Sequence, residues 1–111
     1  GETVANAAIR ETSEEACARI ALDQLFSIIS VPHIDQVHVI YRAQLLDLDF
    51  SAGVETLELR LFSEDEIPWD DIAFRTIHLT LRHYFADRRK GRFEFHEESI
   101  SPPLSPQQGT R

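Results

Sequence analysis

With 111 residues, 42% hydrophobic and 27% charged, the chain has the size of one ordinary domain and the composition of a globular rather than a disordered protein. Its 19 acidic residues outnumber 11 basic ones, giving a net charge of -8. That balance argues against nonspecific nucleic-acid binding, which needs a basic surface to displace phosphate counterions, but allows a small phosphate-bearing substrate whose charge is screened locally by cations.

No apolar run approaches the roughly 20 residues of a membrane span, and no basic-then-apolar leader opens the chain, so no membrane partner is expected. The lone cysteine, Cys17, rules out an intramolecular disulfide and fits a reducing compartment, with the cytosol as the expected location. Gly1 rather than methionine stands first, and the sequence enters directly on a helical pattern. The expectation is that strands belonging ahead of this helix are missing from the chain.

The first predicted element is a helix over residues 3 to 16, with Thr3 as N-cap and Ala5, Ala8, Ile9, Thr12 and Ala16 recurring at helical spacing as its buried face. From about 18 to 31 the pattern turns β-like, through Ile20, Leu22, Leu25, Phe26, Ile28, Ile29 and Val31, until Pro32 ends it. A second strand follows, where Val37, Val39, Tyr41, Ala43 and Leu45 alternate with the residues between them. Leu57, Leu59 and Leu61 predict another short strand, and Ser63 to Asp71 a loop or short helical turn. A second helix is expected from about Ala73 to Arg89, with Phe74, Ile77, Leu81, Tyr84 and Phe85 as its apolar stripe and Gly91 just beyond its basic end. Phe93 and Phe95 suggest a last short strand. The tail from Ser101 to Arg111, with three prolines, is expected to be mobile. The order of elements reads as α/β or α+β, with one domain over residues 1 to 100 and a flexible tail over 101 to 111.

The residues that suggest chemistry lie on the first helix. Glu11, Glu14 and Glu15 fall at i, i+3 and i+4, which places three carboxylates on one face. Such a cluster is either a solvated acidic face or a set of hard oxygen ligands suited to Mg²⁺ or Mn²⁺. Arg10 precedes Glu11 and stands four residues before Glu14, so it can hold a carboxylate in place from behind or form an ordinary surface ion pair.

The run from Glu2 to Glu15 resembles the Nudix box, written G-x5-E-x7-R-E-U-x-E-E-x-G-U. Glu2 matches its isolated glutamate, seven residues lead to Arg10 and Glu11, Thr12 takes the hydrophobic slot, and Glu14 with Glu15 forms the final acidic pair. The box's opening glycine would fall before Gly1. Its closing glycine is replaced by Cys17, with Ala18 after it, at a turn where positive φ is often wanted. Farther on, Gly53 to Phe62, Asp65 to Pro68, and the helix with Ile72, Ala73, Phe74, Thr80 and Leu81 are similar to the subgroup that cleaves FAD or ADP-ribose. Some members of that subgroup carry a zinc ribbon, for which this chain has no cysteine pairs.

The resemblance implies an α/β/α sandwich with a mixed sheet, incomplete at its N-terminal side, and Mg²⁺ or Mn²⁺ as cofactor. It implies Glu11 and Glu15 as metal ligands, Glu14 as a third or bridging ligand, Glu2 as an accessory ligand, and Arg10 as the group that orients Glu11. The catalytic base of this family varies and comes from the box or from a later loop, where Glu55 and Glu58 are the candidates, with Glu55 preferred. The implied reaction is hydrolysis of the pyrophosphate bond in a nucleoside diphosphate-linked small molecule, of FAD or ADP-ribose type, to two monophosphates. Hydrolysis of a nucleoside triphosphate or another diphosphate, and a noncatalytic nucleotide-binding module, stay open beside it. Many relatives are homodimers, so a second copy is a candidate partner. His38, His78 and His83 have no spacing that suggests a triad or metal site, Trp69 reads as a cap over the core, and Phe26 reads as core.

Overall fold

A computed structural model describes residues 1–51 and 59–102. The order of elements is α1 (Val4–Ala16), β1 (Ile20–Val31), a 3₁₀ turn (Pro32–Ile34), β2 (Gln36–Leu45), two further 3₁₀ turns (Glu64–Glu66 and Trp69–Asp71), α2 (Arg75–Lys90) and β3 (His96–Ser99). The strands form a three-stranded sheet in the order β2-β1-β3. β1 and β3 run parallel, with Ser27 opposite His96 and Ser30 opposite Ser99. β1 and β2 are joined through residues 32–35, a connection short enough only for antiparallel neighbours, so the sheet is mixed. The fold is α/β, as the sequence implies.

The chain gathers into two compact units, Gly1–Leu25 with Tyr41–Pro68 and Phe26–Ile40 with Trp69–Arg111. In the first, α1 starts as the sequence predicts: the Thr3 side chain accepts a hydrogen bond from the Asn6 amide at 3.0 Å. The expected inner face of α1 is only partly covered, because Ala5, Ala8, Thr12 and Ala16 are half-buried and Ile9 is exposed. Thr12 turns its hydroxyl onto the Ala8 carbonyl at 2.8 Å, which lets a polar residue sit in the box's hydrophobic slot. Ala18 is the one buried hydrophobic residue of this unit among the described residues. Leu46 donates to the Arg19 carbonyl and Ser51 to the Ala16 carbonyl, each at 2.9 Å, tying the chain after β2 to the end of α1.

The second unit holds most of the core. Phe26, Ile29, Val31, Phe85 and Ile100 are buried, with Ile29 fully so. The Phe26–Val31 half of β1 is a nearly continuous buried run, the pattern of a central strand covered on both faces. Phe26 packs edge-on against Tyr84 and His96, and Trp69 against His78 and the buried Phe85, so Phe26 is core and Trp69 lies over a core ring as expected.

Three expectations are corrected. The face that α2 buries carries Thr76, Thr80, Phe85 and Asp87, whereas Phe74 and Ile77 are exposed. Polar bonds to the sheet explain this rotation: Thr76 bonds the His38 ring at 2.9 Å, Thr80 the Ser27 hydroxyl at 3.2 Å, and Asp87 the His96 ring at 2.8 Å. The last strand begins at His96, after Phe93 and Phe95. Of the strand expected around Leu57 to Leu61, residues 59–61 are outside any strand, and Leu57 lies outside the described residues, as do 103–111 of the tail.

Candidate active site on the first helix

Arg10 sits at the centre of the α1 cluster. Its Nε donates to both carboxylate oxygens of Glu2, at 3.0 and 3.1 Å, and its Nη2 to Glu2 Oε1 at 2.7 Å. Its Nη1 donates to Glu14 at 3.1 and 3.3 Å. Glu11 approaches the guanidinium at 3.8 Å without a hydrogen bond. One cation thus bridges two carboxylates eight and four residues away, and the contact it was expected to make with Glu11 is the weakest of the three. The hydrogen bond from Arg10 holds the Glu2 carboxyl below the usual carboxylate range, and the two glutamates push the Arg10 guanidinium up.

Glu11, Glu14 and Glu15 are all exposed on α1. Among the described residues, no three histidine, cysteine, aspartate or glutamate side chains converge on a point that would enclose a metal ion. The donor set nevertheless fits Mg²⁺ or Mn²⁺ in kind, since it consists of hard carboxylate oxygens with open access to water and to a phosphate group. Glu2 and Glu14, both expected beside the metal, are turned on Arg10 by hydrogen bonds, whereas Glu11 stands 3.8 Å from the guanidinium. Glu55 and Glu58 lie outside the described residues.

The turn that leaves α1 carries the signature of the missing glycine. Cys17 caps the helix at φ 49°, ψ 26°, in the left-handed region, and its amide donates to the Ser13 carbonyl. A glycine adopts this conformation freely, while a side chain there strains against the following carbonyl. The replacement thus changes the cost of the turn and not its path. Beyond it, Arg19 pairs with Asp47 and Arg42 with Asp23, two ion pairs between residues too far apart in the chain for spacing to reveal them.

Neither a protein-family model nor a curated protein matches the chain. It is similar to a NUDIX hydrolase from Nitrosomonas europaea of known crystal structure, at 51% identity and a TM-score of 0.89, over 92% of this chain and 58% of that one. The chain therefore spans somewhat over half the length of that protein. Identity at this level over nearly the whole chain carries more than a shared fold, and it supports the Nudix family for this chain. Among the described residues, no helix is long and apolar enough to cross a membrane.

Proposed function

We propose that the protein is a divalent-metal-dependent Nudix pyrophosphohydrolase that splits a nucleoside diphosphate derivative of FAD or ADP-ribose type into two monophosphates. The observation that carries this reading is the α1 cluster, with Arg10 clamping Glu2 and Glu14 beside the exposed Glu11 and Glu15. A pyrophosphate is already negative and repels an attacking hydroxide, so the barrier is electrostatic first. Bound Mg²⁺ supplies neutralisation of phosphate oxygens and acidification of a water.

Glu11 and Glu15 would hold the cation, and Glu14 would serve as a third or bridging ligand. Arg10 acts from behind by fixing where the Glu14 carboxylate stands, and it keeps Glu2 ionised close to the cluster as an accessory group. Glu55, and after it Glu58, is the proposed base that takes the proton from the attacking water. FAD or ADP-ribose as substrate rests on the similarity of Gly53 to Phe62 and Asp65 to Pro68 to that subgroup.

The test is hydrolysis by the full-length protein of FAD, ADP-ribose, NADH and nucleoside triphosphates, with Mg²⁺ or Mn²⁺, beside a Glu15→Gln variant. Turnover of FAD or ADP-ribose in preference to the triphosphates, lost in the variant, supports the reading. Preference for a triphosphate transfers the protein to the other substrate class. Absence of metal-dependent turnover on every compound, from folded protein, leaves a nucleotide-binding module in its place.

A further inference from the structure

The second unit contains a cavity of about 310 Å³, lined by none of the residues assigned to the hydrolytic reaction. Val31, Ile34, Phe74 and Ile100 give it an apolar wall, and Arg75 and His33 stand at its polar side. The His38 ring and Thr76 brace the wall between β2 and α2 through their 2.9 Å hydrogen bond, and Gln36 holds the other ring nitrogen at 2.9 Å. Such a volume with apolar walls and a few polar groups is of the size that small-molecule sites take.

Two features narrow the chemistry of the occupant. The first is charge: in a chain of net charge -8, no aspartate or glutamate among the described residues lines this cavity, while an arginine does. Arg75 gives Nη1 to the Ser101 carbonyl, and its Nε and Nη2 have no partner among the described residues. α2 begins at this same wall with no side-chain cap on its first turn, so the positive end of its dipole adds to the arginine. The second feature is Phe74, an aromatic residue that lines the cavity and is 69% exposed, so its ring is open to a ligand. An aromatic ring beside a guanidinium fork suits a flat ring that carries a charged oxygen group.

We propose that this cavity binds a small planar aromatic anion, with its ring against Phe74 and its charged group on Arg75. The site is separate from the proposed hydrolytic chemistry and stands whether or not that reading does. It is tested by titrating ¹⁵N-labelled protein with 2-naphthoate and, separately, with its neutral amide, while following backbone amide shifts. The carboxylate is expected to give saturable one-to-one shifts at Ile34, Gln36 and Thr76. The neutral amide, and the carboxylate on Arg75→Gln protein, should bind about five-fold or more weakly, because the charge-assisted pair is lost. Phe74→Ala should abolish saturation, with the rest of its spectrum reporting an intact fold. Shifts that do not saturate, shifts that map away from these residues, equal affinity for the neutral amide, or undiminished binding by either variant would each overturn the proposal.

Discussion

Cys17 and Gly91 end their helices in the same left-handed backbone region, at φ 49° and 75°, and only Gly91 does so without strain. A Cβ at Gly91 would meet nothing within 4 Å, so the cost of Gly91→Ala is conformational alone. We predict that Gly91→Ala lowers stability by about 1 kcal/mol and that Cys17→Gly raises it by a similar amount, both read from urea midpoints. Asp87 poses a different problem, being 1% exposed and charged. Burial pushes its carboxyl up, but the Glu94 amide at 2.9 Å and the His96 ring at 2.8 Å outweigh burial and hold it below the usual range. A depressed carboxyl contributes stability that is present above its unfolded value, about 3.9, and is lost as pH falls through the folded one. Stability should therefore decline below about pH 4, and Asp87→Asn should flatten that decline while lowering stability at neutral pH by about 1–3 kcal/mol. An unchanged acid limb in the variant would show that another carboxylate is responsible. The role of Asp87 was not visible in the sequence, because it sits among charged residues at a helix end and its partners are seven and nine residues away.

Elements differ in how far the sequence announces them. α1 and β2 carry clean periods, a cap and a breaker, and they form within a residue or two of where those signals fall. β3 gives no such signal: His96, Glu97, Glu98 and Ser99 have no apolar alternation. The strand exists because it pairs in register with buried β1 and because His96 and His83 find Asp87 and Glu98 across it, which are tertiary causes. The bonds of Thr76 to His38, Thr80 to the Ser27 hydroxyl and Asp87 to His96 turn α2 so that its threonines face inward. A buried hydroxyl pair of this kind is costly to half-break, since the survivor keeps its desolvation penalty. Thr80→Val alone should therefore lower stability by about 1 kcal/mol or more, while adding Ser27→Ala should cost less than the two single effects summed. Strict additivity in that double-mutant cycle would mean that the 3.2 Å contact between these hydroxyls contributes nothing.

At the scale of the whole molecule, the box acids could be read from one segment because the helical repeat alone puts Glu11, Glu14 and Glu15 on one face. Which acid Arg10 holds could not, since Glu11, Glu14 and Glu2 are all within reach of a long side chain and geometry chooses Glu2 and Glu14. That choice has a functional consequence. The clamp is exposed, so Arg10→Ala should scarcely move the unfolding midpoint, yet it should lower metal affinity or turnover by about 10–100-fold, as loss of a residue that orients ligands does. A parallel loss of stability and activity would instead make Arg10 a structural residue. The dependence of hydrolysis on a cation held by the α1 carboxylates is the proposal most open to measurement. Its most direct test is a Mg²⁺ titration of ADP-ribose and FAD hydrolysis by the full-length protein and by Glu15→Gln. No turnover is expected without metal, with saturable activation in the parent and loss of activation in a variant whose circular dichroism is unchanged. Turnover in the presence of chelator, or full activation of the variant, would contradict it.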